Sequence, residues 1–74
     1  MPATKEQVRD LFLQHEGETV LREVRGQGKR IARRVDLDNP ILAADFLCSG
    51  AENLEIHGNA VTAIRSELNV TYFL

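Results

Sequence analysis

Val20-Leu21-Arg22-Glu23-Val24-Arg25-Gly26-Gln27-Gly28-Lys29-Arg30-Ile31-Ala32-Arg33-Arg34-Val35-Asp36-Leu37 is the stretch on which the fold turns. Its apolar residues recur every second position: Val20 and Val24 around Arg22, then Ile31, Val35 and Leu37 around Arg33. A period of two places alternate side chains on opposite faces of a strand. Between the two runs, Gly26 and Gly28 supply the positive φ that a tight hairpin loop needs. The same residues also fit a loose helical spacing, Val20, Val24, Ile31 and Val35. That reading gives a helix-turn-helix with Arg30, Arg33 and Arg34 on its last helix, and it implies a DNA-binding regulator. Two glycines inside a helix cost about 1 kcal/mol each, so the strand reading is preferred.

Upstream, residues 4–16 read as a helix. Thr4 and Gln7 have capping-box spacing. Val8, Leu11, Phe12 and His15 share one helical face, and Gly17 is placed to end it. Downstream, Asp38-Asn39-Pro40 is a turn signal. Ile41 to Cys48 reads as an apolar strand with Leu42, Ala44, Phe46 and Cys48 on one face. Leu54 and Ile56 make a short strand, Gly58-Asn59 a tight turn, and residues 60–73 a last strand. The sequence therefore predicts one α+β, mostly β domain over residues 1–74. Its helix spans 4–16 and its strands about 19–25, 29–37, 41–48, 53–57 and 60–73.

At 74 residues such a domain leaves much apolar surface thinly covered. One cysteine, Cys48, excludes an internal disulfide, and His15 and His57 belong to no cluster with metal-ligand spacing. Self-association is the remaining staple. The last residues, Val70, Tyr72, Phe73 and Leu74, strengthen that expectation, because an apolar β-prone ribbon left as a sheet edge is adhesive. Barrel closure or strand pairing with another copy would cover it.

Composition is that of an ordinary folded protein, 43% hydrophobic and 27% charged. No run approaches the length that spans a bilayer, and no leader peptide is read at the polar N-terminus, so a cytoplasmic protein is expected. The acceptor pattern Asn69-Val70-Thr71 is then a chance match. Net charge is −2, yet Arg25, Lys29, Arg30, Arg33 and Arg34 form a basic patch within ten residues. Arg33 lies on a nominally apolar face, where it must snorkel, pair with a carboxylate such as Asp45, or meet a partner.

The segment Leu54-Glu55-Ile56-His57-Gly58-Asn59-Ala60-Val61-Thr62-Ala63-Ile64 resembles the second motif of the Sm-like (LSm/Hfq) proteins, apolar-x-Ile-Arg-Gly-Asn/Asp-x-Val/Ile-x-x-Ile. His57 stands where that motif has arginine. Asp36, Asp38 and Asn39 fall near the Asp and Asn of the first motif, with shortened spacing and Pro40 interposed. The resemblance implies an N-terminal helix followed by a five-stranded, strongly bent antiparallel SH3-like barrel. It further implies a homo-oligomeric ring that binds single-stranded RNA through Asp36, Asp38, Asn39, His57, Gly58 and Asn59. A small α+β domain that pairs with proteins and binds no nucleic acid is the alternative.

No constellation supports an enzyme or a cofactor. Gly26-Gln27-Gly28-Lys29 lacks the spacing and the following helix of a phosphate loop. Cys48 has no base beside it in sequence, so it reads as a small core residue.

Overall fold

Each element begins where the local chemistry favours it. The computed structural model describes residues 3–74. Helix α1 spans Lys5–Gln14, two residues shorter than expected at its C-terminus. Its capping box is complete: Gln7 N–H donates to Thr4 Oγ1 at 3.2 Å, and Thr4 N–H donates to Gln7 Oε1 at 2.9 Å. Gly17, at φ 80°, turns the chain out of the helix, and its N–H donates to the Leu37 carbonyl at 2.7 Å.

Strands β1 (Thr19–Gly26) and β2 (Lys29–Asp36) form the expected hairpin. They pair from Thr19–Asp36 to Gly26–Lys29. Gln27 and Gly28 both have positive φ, 52° and 74°. Two such residues make the turn whose twist matches the flanking strands. The helix-turn-helix reading of this stretch is thereby corrected.

Residues 40–48 are not a strand. They form α2 (Pro40–Cys48). Asn39 is its N-cap, with Oδ1 accepting from Leu42 N–H at 3.2 Å. Pro40 occupies the first turn, where its missing N–H costs nothing. The buried side chains Pro40, Ala44 and Leu47 repeat at helical spacing.

The last segment, expected as one strand, is two. β3 (Asn53–His57), β4 (Ala60–Ile64) and β5 (Asn69–Phe73) follow one another, with a turn at 65–68 closed by Arg65 N–H donating to the Leu68 carbonyl at 2.8 Å. The sheet order is β2-β1-β5-β4-β3, antiparallel throughout. The sheet is open, with β2 and β3 as its edges, so the expected closed barrel is corrected. Five strands are present, but α2 replaces the strand that was to link β2 to β3.

The hydrophobic ribbon at Val70–Leu74 also has a different refuge from the one expected. β5 lies at the centre of the sheet, between β1 and β4, and Leu74 N–H donates to the Asn59 carbonyl at 2.7 Å. It is therefore no edge available to another copy.

Both helices cover one face of the sheet. Val8 and Phe12 of α1 and Ala44 and Leu47 of α2 share a core with Val20, Leu37, Val61, Ala63 and Tyr72. Among the described residues no element lies over the opposite face. β2 is exposed along nearly its whole length, with Val35 packed against the core.

Candidate functional site

The residues expected to line one RNA site fall into two groups. Asp36 ends β2 and accepts a hydrogen bond from Thr19 Oγ1 at 2.8 Å. Asp38 is exposed beside it, and Asn39 caps α2. His57, Gly58 and Asn59 form the β3–β4 turn at the other edge of the sheet. Three strands intervene, which separates the groups by about 19 Å within one chain. His57 Nε2 lies 3.0 Å from Glu55 Oε1.

The basic patch divides between the two faces of the hairpin. On the uncovered face, Arg25 and Arg30 converge on Glu23, which is only 7% exposed. Arg30 places Nε and a terminal nitrogen at 2.9 and 2.8 Å from Glu23 Oε2, and Arg25 Nε is 3.5 Å from Oε1. Arg34 lies on this face too, as the cross-strand partner of Leu21. Arg33 lies on the helix-covered face, opposite Arg22. It does not pair with Asp45, which is held instead by Lys5 at 3.3 Å. Lys29 closes the hairpin loop, and the Gly26–Lys29 segment is a tight turn leading into a strand, not a phosphate cradle.

Strand register assembles a row across the uncovered face: Arg34, Leu21, Phe73, Ala60 and His57, one from each strand. Leu21 and Phe73 are 38% and 42% exposed there. Beside this row, Thr62 and Thr71 hydroxyls meet at 3.0 Å.

The helix-covered face holds a cleft that the sequence reading did not anticipate. It is about 160 Å³, between Phe46 and Leu47 of α2 and the sheet residues Arg22, Val24, Val70 and Tyr72, with Arg65 at one end. Arg65 donates to the carbonyls of Phe46 at 3.0 Å and Leu47 at 3.4 Å, the last turn of α2. The signal for Arg22 was present in sequence, because it alternates with Val20 and Val24 as Arg33 does with Ile31 and Val35. Arg65 and Phe46 became visible only once α2 was seen to be a helix.

Cys48 is half-buried at the end of α2. Burial pushes its thiol up from the ordinary value, with a smaller downward pull from Lys5 and an upward push from Asp45. A raised thiol pKa means a smaller thiolate fraction, and the thiolate is the nucleophile. Native Cys48 is therefore expected to react with Ellman's reagent more slowly than free cysteine at mildly alkaline pH, and at the free rate in urea. Equal native and denatured rates would contradict this placement.

Among the described residues no group of three metal-ligating side chains forms, and no helix is long and apolar enough to cross a membrane. No protein-family model matches the chain, and no curated protein or solved structure matches it either.

Proposed function

We propose that this chain is a single-stranded RNA-binding module that lays its ligand across the uncovered face of the sheet. The row Arg34–Leu21–Phe73–Ala60–His57 carries the reading. Single-stranded bases stack on aromatic side chains held on a rigid platform, while basic groups follow the phosphates. Phe73 and His57 stand two strands apart, about 10 Å, with Arg34 two strands beyond Phe73 on the other side. The hairpin supplies the charge on this face through Arg25, Arg30 and Arg34, of which Arg25 and Arg30 also pair with Glu23. Of the RNA contacts that the Sm-like resemblance implied, His57 is the one this reading retains.

Anisotropy of labelled oligo(U) and oligo(A) tests the proposal. Binding at low salt is expected, weakening with added salt. Phe73→Ala removes one stacking platform worth about 1–3 kcal/mol, so affinity falls about tenfold. Arg34→Ala lowers the salt slope by about 0.7, the value of one single-strand phosphate contact. Absence of binding at low salt rejects the reading.

A second reading, self-association, is favoured by one observation: Leu21 and Phe73 are adjacent apolar side chains on a face that no other described element covers. Packing two such faces together would bury both pairs. Molar mass by light scattering separates the two, because RNA binding by a monomer removes the need for a second copy.

A further inference from the structure

The cleft on the helix-covered face is electrostatically incomplete. Arg22 Nε and Arg65 Nε are both shut off from solvent, and neither has a hydrogen-bond partner. Both line the same cleft. Among the described residues neither arginine forms an ion pair, and neither does Arg33, which sits across from Arg22 on the same face. Buried donors of this kind are normally satisfied, and leaving them unmade costs most when the donor is charged. The two guanidinium groups leave the cleft with positive charge that no side-chain ion pair among the described residues balances, so the ligand it favours is an anion.

The walls narrow the choice. Val24, Val70, Leu47 and Phe46 are apolar, and Phe46 is 69% exposed at the cleft mouth. Ile31, the cross-strand partner of Val24, extends the apolar surface outward and is 52% exposed. A phosphate dianion would bring three oxygens and two charges against hydrocarbon, with a heavy desolvation penalty. A carboxylate brings one charge in a plane that guanidinium donors match. The volume, about 160 Å³, holds roughly five water-sized groups, so the carboxylate and its first carbons lie inside and a longer chain runs out over Ile31.

We propose that this cleft binds a small carboxylic acid with an apolar body. The carboxylate is held by the charge of the Arg22 and Arg65 guanidinium groups, and the hydrocarbon lies against Val24 and Phe46 toward Ile31. Arg65 is held for this task by the α2 carbonyls that its other nitrogen already engages. The site lies on the opposite face of the sheet from the RNA row and goes beyond that reading.

The test follows the Nε–Hε resonances of Arg22 and Arg65 by nuclear magnetic resonance as octanoate, octanol or inorganic phosphate is added. Octanoate is expected to shift both resonances to saturation, while octanol and phosphate leave them nearly unchanged. Arg22→Met should weaken octanoate about ten- to a hundredfold, the worth of a charged hydrogen bond. Phe46→Ala, at an exposed position that leaves the core intact, should weaken octanoate and have no effect with phosphate. Far-UV circular dichroism verifies that both variants are folded. Octanol binding as well as octanoate, phosphate binding as well as octanoate, an Arg22→Met variant of undiminished affinity, or no binding at all would each overturn the proposal. RNA anisotropy with Arg22→Met stays at the wild-type value if the two faces act independently, so failure of one reading is not mistaken for failure of the other.

Discussion

Phe12→Ala is expected to remove a large share of this protein's folding stability. Phe12, on α1, has the largest fully buried side chain of the core. Its ring packs on Tyr72 of β5 with centroids 5.0 Å apart and planes inclined at 51°. That contact joins the first helix to the central strand, two elements some sixty residues apart in sequence. Truncation of a buried phenylalanine costs about 3–5 kcal/mol, because transfer energy and the cavity both count, and the lost tilted aromatic pair contributes about 0.5–1.5 kcal/mol of it. A domain of this length has a total stability of about 4–11 kcal/mol. Thermal unfolding followed by circular dichroism should show the midpoint falling by tens of degrees. Phe12→Leu, which keeps most of the volume, should cost about 1 kcal/mol. A midpoint within a few degrees of wild type for Phe12→Ala would mean that α1 is not docked as described.

The hairpin and α1 were legible in the sequence because each carries two concordant signals. Alternation and a glycine-centred turn agree for β1–β2, and the capping box agrees with the apolar stripe for α1. Residues 40–48 carry conflicting signals. Ile41-Leu42-Ala43-Ala44 is apolar all round, and periodicity alone does not separate a buried strand from a buried helix in so short a run. Asn39-Pro40 is a turn signal and equally a helix start, N-cap followed by proline in the first turn. The buried triplet Pro40, Ala44 and Leu47 settles it, but only once the burial is known. The break at Arg65–Leu68 was hidden because Ser66-Glu67 contains neither glycine nor proline. That omission concealed the true place of the last strand: once residues 60–73 fold back on themselves, β5 can pair with β1 and become central. The candidate site follows the same division. His57 and the basic residues were readable one by one. Their partition between two faces, and the presence of Arg22 and Arg65 in one cleft, depend on register and on α2.

Gly26→Ala is expected to cost about 1–3 kcal/mol, the usual penalty for forcing an added methyl into a packed site, and to weaken the cleft as well as the fold. Gly26 ends β1 in an ordinary backbone conformation, so the argument is one of space and not of φ. A Cβ on Gly26 would collide with the Glu67 carbonyl oxygen and with Leu68 Cδ2. A side-chain methyl can rotate away, but a backbone carbonyl in a four-residue turn cannot move without its neighbours. The turn is closed by Arg65 N–H on the Leu68 carbonyl at 2.8 Å, so displacement of residues 67 and 68 pulls on Arg65. Arg65 reaches the end of α2 through a single terminal nitrogen, and a small shift of its backbone moves the guanidinium from its place at the end of the cleft. Urea unfolding measures the first effect and octanoate titration the second. Lys29→Ala, on the same hairpin and exposed, is the control and should change stability by less than about 0.5 kcal/mol. If Gly26→Ala matched wild type in both measurements, the 65–68 turn would not lie against the end of β1, and the route by which the hairpin fixes Arg65 would be lost with it.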